Sequence, residues 1–386
     1  MKLSGKTAER DRQRRDARPL LPVNRPRLPD AAALLPYLRR IDESRHYTNF
    51  GPLESEFRLR LAGHLGMGPE CLTLAASGTA GLTATLLAVA GRATPQKPLC
   101  AIPSYTFVAT AVAAAACGYT PFLVDVDRES WALDPRVIAA LPERDKIGAV
   151  IPVAPYGKLC SVRSWEQFRI ETNIPAVIDA AASFDALPEI SAEVPIVVSL
   201  HATKTLSSGE GGFIMAENPP LIDRCLRALN FGFFDGRNSV GPSINGKLSE
   251  YHAAVGLADL DGWAQKRSSF IGLANLYRQE ASHLGVSGLL HATESHANPY
   301  VLYETLPGTA GVVLRELRED GIDTRLWYGG GLHRQTEFST CPRTAMAVTD
   351  DLAPRVIGLP VAVDITAGDV ARVLSAIARA EACPKL

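Results

Sequence analysis

Val194-Pro195-Ile196-Val197-Val198-Ser199-Leu200-His201-Ala202-Thr203-Lys204-Thr205-Leu206-Ser207-Ser208-Gly209-Glu210-Gly211-Gly212-Phe213-Ile214-Met215-Ala216 is the stretch on which the fold is decided. The apolar, β-branched run from Val194 to Leu200 predicts a strand. It ends in small and hydroxyl residues, then a lysine, a glycine-rich turn and a second apolar strand from Phe213 to Ala216. Lys204 is thereby expected at a strand end on a tight turn, not on a free surface helix. Partial burial there favours the neutral amine, the form that condenses with an aldehyde. Lysines after strands are also common on surfaces, and this stretch alone leaves both readings open.

Two other segments carry the parts that a pyridoxal phosphate (PLP) site requires. Ser77-Gly78-Thr79-Ala80-Gly81-Leu82 follows the short apolar run Cys71 to Ala75 and opens an Ala/Leu-rich helical stretch. A strand, a Ser-Gly-Thr turn and a helix bring unpaired N–H groups to the positive end of a helix dipole, which suits a phosphate. The same residues also suit plain helix capping by Ser77 or Thr79. In Ala176-Val177-Ile178-Asp179-Ala180-Ala181 an acid closes a buried β-branched run. Such a carboxylate can hold a pyridine nitrogen protonated, so that the ring draws electrons, or it can cap the next helix.

The order and spacing of these segments resemble the DegT/StrS family of sugar aminotransferases, on the fold-type I PLP scaffold. The resemblance runs from about Leu21 to Ile377. Its landmarks are Asn49 to Glu54, Ser77 to Ala80, Pro103 to Thr110, Asp179 to Ala181, Ser199 to Gly212, Asn245 to Glu250 before Ala253 to Leu257, and Gly321 to Arg325. It implies a PLP-dependent transamination of a keto sugar, nucleotide-linked, with glutamate as amino donor. It also implies that Lys204 forms the Schiff base and moves the proton, and that Asp179 pairs with the pyridinium. Thr79, with backbone from Gly78 and Ala80, would hold the phosphate, and Ser199 would add a hydroxyl. Phe107 would stack on the ring, which fixes its plane. Asn245 would reach the phosphate in a neighbouring subunit, so the resemblance implies a homodimer with shared active sites. His333 and Arg325 are expected near the substrate.

The chain departs from the family in two places. Family members often carry Gln or His three residues after the aspartate; here that position is Ala182, with Ser183 beside it. The loop Ala154-Pro155-Tyr156-Gly157 also differs from the usual version. A sister branch that dehydrates sugars has His in place of the lysine, and Lys204 argues against it. Rival readings are an aminotransferase for a keto-cyclitol, a PLP-dependent dehydratase, and a non-catalytic regulatory protein on the PLP fold. The retained Lys204, Asp179, Ser199 and Thr79 argue against the last.

Bulk properties agree with a soluble enzyme. The 386 residues allow a large domain and a smaller one. A formal net charge of −1 suggests no general nucleic-acid or membrane surface. Seven scattered cysteines without a CxxC pair argue against zinc sites and disulfide frameworks and for a reducing, cytoplasmic setting. Asp125-Val126-Asp127 lacks clustered His or Glu and reads as a strand-end turn, so no metal is expected. Residues 1–27 carry nine Lys/Arg against three acids and lack a signal-peptide apolar run, so they read as a basic arm.

Strands near Cys71–Ala75, Leu99–Ile102, Thr120–Val124, Ala149–Val153, Ala176–Asp179, Ile196–Leu200 and Phe213–Ala216 alternate with helices. The alternation predicts an α/β fold whose seven-stranded, mostly parallel sheet lies between helices. A single long helix is expected from about Glu250 to Gln279. The expected divisions are the arm at 1–27, a large PLP-binding domain at 28–262 and a small α+β C-terminal domain at 263–386. Tyr328-Gly329-Gly330-Gly331 reads as a flexible loop facing the site or an ordinary turn.

Overall fold

The computed structural model describes residues 19–158, 160–187 and 189–382. Its central strands are β1 (Leu72–Ala75), β2 (Leu99–Pro103), β3 (Thr120–Val124), β4 (Ile147–Val150), β5 (Ile178–Asp179), β6 (Ile196–Ser199) and β7 (Gly212–Met215). They pair as β3-β2-β4 and β1-β7-β6-β5. Parallel bridges from Val150 to Ala176 and from Val153 to Asp179 join the two halves. The result is one sheet of order β3-β2-β4-β5-β6-β7-β1, in which β7 runs against both of its neighbours.

The principal helices are α1 (Ala31–Ser44), α2 (Pro52–His64), α3 (Gly78–Val89), α4 (Ala109–Ala116), α5 (Val162–Thr172), α6 (Pro219–Leu229), α7 (Glu250–Asp261), α8 (Trp263–Leu284), α9 (Ala310–Glu319) and α10 (Ala367–Ala382). Successive strand side chains point to opposite faces, so both faces must be apolar if helices cover both. In β6, Ile196 and Val198 pack with the core layer of α2, α5, α7 and α8, while Val197 packs with the layer of α3, α4 and α6. That two-sided burial is why these strands read as β-branched runs.

From Trp263 onward the texture changes. β8 (Leu289–His291), β9 (Leu302–Glu304) and β10 (Val356–Gly358) form an antiparallel sheet, and α10 packs on α8 and α9. This is a smaller C-terminal domain. The single helix expected over Glu250–Gln279 is instead two, α7 and α8, meeting at Gly262. Glycine costs about 1 kcal/mol in a helix interior relative to alanine, so the break falls where it is cheapest.

Residues 1–18 of the basic arm, and Cys383, lie outside the described residues. The remainder of the arm docks on its own chain. Leu21 bridges to Ile322 and Asn24 to Val361, Val23 is buried, and Arg25 pairs with Asp364 at 2.9 Å. No helix of the described residues is long and apolar enough to cross a membrane.

Candidate active site

The site assembles at the carboxyl ends of β1, β5 and β6, the edge where open α/β sheets bind ligands. After β6 the chain turns tightly. The N–H groups of Ala202, Lys204 and Ser208 donate to the carbonyls of Gly209, His201 and Leu200, each at 2.8 Å. Gly209 adopts a φ of 81°, which favours glycine. Thr205, Ser207 and Ser208 are buried, so the loop is packed from beneath. Lys204 therefore projects from a fixed base, half-buried, and its Nζ donates to the Tyr300 hydroxyl at 3.2 Å.

At the start of α3, the Ser77 hydroxyl accepts from the Ala80 N–H at 3.0 Å. Ser77 is thus the cap. Among the described residues, the N–H groups of Gly78 and Thr79 and the Thr79 hydroxyl have no protein partner. A Cβ at Gly78 would stand 3.0 Å from the Ser199 Cβ, and one at Gly212 would stand 2.8 Å from the Gly78 N. Glycine at both positions lets the helix start, the end of β6 and the start of β7 touch. Ser199 is thereby brought against Gly78, the residue before Thr79.

Asp179 is 5% exposed. One carboxylate oxygen accepts from the Thr110 hydroxyl at 2.8 Å and the other from the Ala181 N–H at 3.2 Å. Burial pushes its carboxyl above the usual range, opposed by the Thr110 hydroxyl, the Ala181 N–H and the charge of Lys204. Among the described residues no cation forms an ion pair with it. A buried carboxylate without a cation is costly, and a protonated pyridine nitrogen would complete it. Thr110 has no counterpart among the sequence-based expectations. The hydroxyls of Thr106 and Thr110 lie 3.1 Å from one another.

Phe107 precedes α4 and is 58% exposed, which leaves it open to stacking. Asn245 is exposed on a loop bridged to Asn230, and the neighbouring Gly246 carbonyl accepts from the Ala76 N–H at 2.7 Å. Asn245 therefore lies on the outside of the segment that leads into Ser77. Arg325 is exposed, its guanidinium 5.5 Å from the Trp327 ring centroid, and Trp327 meets Tyr300 edge-on at 5.4 Å. That places Arg325 on the same aromatic wall as Lys204. His333 is placed differently. It is buried, with Nδ1 2.7 Å from the Ser104 hydroxyl and Nε2 2.9 Å from Asp350. Both ring nitrogens are engaged inside the protein, so the expectation of substrate contact by His333 gains no support from the geometry. Ser104 is itself sealed from solvent.

The glycine run behind Tyr328 is held rather than loose. The Tyr328 ring stacks on Tyr156 at 4.1 Å, and the Leu332 N–H donates to the Ser104 carbonyl at 2.8 Å. Asp125 caps the segment at Ala347–Leu352 through the N–H groups of Val348 and Thr349, both at 2.8 Å. The contact between Tyr300 and Lys204 spans 96 positions of chain, so no local pattern announces it.

A lysine amine at a strand end, a buried carboxylate lacking a cation, a helix start with free N–H groups and an exposed aromatic ring fit pyridoxal phosphate, and define a PLP-dependent aminotransferase of fold type I. The model of the DegT/DnrJ/EryC1/StrS aminotransferase family matches residues 30–378, and the chain belongs to that family. Protein Rv3402c of Mycobacterium tuberculosis is 32% identical over 94% of this chain and 90% of its own. The dTDP-4-amino-4,6-dideoxy-D-glucose transaminase of Escherichia coli is 32% identical over 67% of this chain and 69% of its own. The crystal structure of DesI in the presence of its TDP-sugar product superposes with a TM-score of 0.80 at 30% identity, covering 94% of this chain and 92% of that one.

Proposed function

We propose that the protein aminates a keto carbon of a nucleotide-linked sugar, with glutamate as donor, and that it does so as a homodimer with shared active sites. The observation that carries the reading is the pairing of a fixed Lys204 amine with a buried Asp179 that lacks a cation. The sugar class is supported by the names of the E. coli transaminase and of DesI with its TDP-sugar product.

Pyridoxal phosphate, when bound, supplies an aldehyde for the amine and a ring that accepts the electrons left when a carbon loses its proton. Thr79 and the N–H groups of Gly78 and Thr79 hold its phosphate at the positive end of α3, with Ser199 alongside. Asp179 would hold the ring N–H proton in place, and the Thr110 hydroxyl, by donating to that carboxylate, favours its ionised form against the effect of burial. Phe107 covers one ring face. Lys204 anchors the cofactor between turnovers. Its Nζ would take the Cα proton of glutamate and give a proton to the sugar carbon that receives the amine. Asn245 reaches the phosphate of the partner copy's site, and Arg325 faces the substrate from the aromatic wall.

Replacing Lys204 by alanine should abolish the visible absorbance of the purified protein and its turnover. An unchanged spectrum and normal turnover would remove Lys204 from this role. Incubation with glutamate and a dTDP-linked 4-keto-6-deoxyhexose should release 2-oxoglutarate and yield an amino sugar. Loss of a sugar hydroxyl without 2-oxoglutarate would point to dehydration instead.

A further inference from the structure

We infer that the cavity between the docked N-terminal segment and the Lys204 turn is the subsite for a carboxylate of the amino donor, and that Arg27 is the residue that binds it. The inference rests on the reading of Lys204 as the cofactor anchor and of glutamate as the donor.

Residues 24–27 reach the site because the segment before them is tied down. The Leu21 N–H donates to the Gly321 carbonyl at 2.9 Å, and the Val361 N–H donates to the Val23 carbonyl at 3.0 Å. Pro26 fixes its own φ and biases Arg25 to an extended backbone, so the chain past Asn24 runs on stiffly. Arg25 and Arg27 thereby line a cavity together with Lys204 and with Lys266 of α8, over apolar surface from Phe270 and Pro299. Four cations line it and no acid does. Three acids answer them from outside the lining: Asp259 takes Lys266 at 2.8 Å, Asp364 takes Arg25 at 2.9 Å, and Asp179 interacts with the charge of Lys204. Of the four cations, Arg27 has no ion pair and no side-chain hydrogen bond among the described residues. Its charge is left over, which matches a single carboxylate.

The size agrees. The cavity measures about 20 Å³, enough for one small polar group and too little for a diphosphate. Apolar walls strengthen the attraction, because charges interact more strongly where water is scarce. Arginine suits the purpose, since its planar fork meets both oxygens of a carboxylate.

The test is the glutamate half of the reaction, run on the cofactor-loaded protein without sugar and followed by the loss of its visible band. Arg27→Met should raise the half-saturating glutamate concentration about tenfold or more, the worth of one hydrogen bond to a charged group. It should leave the KM for the dTDP-linked keto sugar unchanged. Arg27→Lys keeps the charge and should recover part of the loss. Arg27 is exposed, so both variants should unfold as the parent does. An unchanged glutamate dependence in Arg27→Met would overturn the assignment. So would a raised KM for the keto sugar with the glutamate step intact, which would give Arg27 to the sugar's diphosphate instead. Either result leaves the visible band, and with it the Lys204 reading, standing. Absence of the band in the unaltered protein, or a band that glutamate leaves in place, would overturn the underlying reading and this inference with it.

Discussion

Asp179 and Asp259 are both aspartates, both 5% exposed, and they are built for different ends. Asp259, on α7, receives Lys266 Nζ at 2.9 and 2.8 Å and the Ser207 N–H at 2.8 Å. Its charge is matched within the fold, and through Ser207 it props the turn that carries Lys204. Asp179 receives a hydroxyl and an N–H, and no cation among the described residues forms an ion pair with it. Burying a charge is tolerable when its partner is built in. A charge buried without one weakens the empty protein and is made good when a cation arrives. The contrast separates a carboxylate that serves the architecture from one that serves a ligand.

Exchanging each acid for its amide should give opposite phenotypes. Asp179→Asn should fold at least as well as the parent without cofactor, because the amide removes a buried charge that has no ion-pair partner among the described residues. Its turnover should fall about 1000-fold, on the scale of losing a fixed electrostatic group. Asp259→Asn should leave Lys266 buried and unpaired at a cost of about 3 kcal/mol, with near-normal turnover per folded molecule. Denaturant unfolding and steady-state rates on the same samples decide the matter. A destabilised Asp179→Asn, or a folded but inactive Asp259→Asn, would break the comparison.

Glu54 tests whether the distinction extends to a third buried acid. It is 3% exposed on α2, near Glu250, whose carboxylate receives the N–H groups of Leu53 and Glu54, both at 2.8 Å. Burial pushes the Glu54 carboxyl up to about 7, opposed by Arg58 and reinforced by Glu250. A folded pKa above the unfolded value means that its contribution is full below the ordinary glutamate range and is lost as pH rises through about 7. Stability should therefore decline from pH 5 to pH 8 by at most about 3 kcal/mol on this account, and Glu54→Gln should flatten the slope. A slope unchanged in the variant would show that Glu54 is ionised throughout. Such a result would place it with Asp259 among the matched charges.

What could be read beforehand follows the same division between local and distant causes. The seven central strands were legible because two-sided burial leaves β-branched runs such as Ile196-Val197-Val198. Lys204, Asp179 and Thr79 could be picked out as candidates because each stands at, or a few residues beyond, a strand end. Tyr300 was not, since its contact with Lys204 depends on how the C-terminal domain closes over the large one, and no local period encodes that. The antiparallel course of β7 left no mark in its composition either; the connection from residue 200 to residue 211 forms turns and no helix that could cross back over the sheet. His333 shows the converse. A histidine in a promising segment was filled on both nitrogens by Ser104 and Asp350, residues 229 and 17 positions away.

The smallest expected effect concerns two hydroxyls at the start of α3. Ser77 has an internal partner in the Ala80 N–H, while Thr79 has none among the described residues. By the logic of the two aspartates, Ser77 belongs to the fold and Thr79 to the ligand. Ser77→Ala should cost about 1 kcal/mol of stability, the usual loss of an N-cap, and should do so in the cofactor-free protein. Thr79→Val keeps the cap and the β-branched shape, so the cofactor-free protein should unfold as the parent does. Its affinity for pyridoxal phosphate should fall about tenfold, the worth of one hydrogen bond to a charged group. Thermal unfolding without cofactor and a cofactor titration measure the two quantities separately. If Ser77→Ala weakened the cofactor more than it weakened the helix, the assignment of the two hydroxyls would have to be reversed.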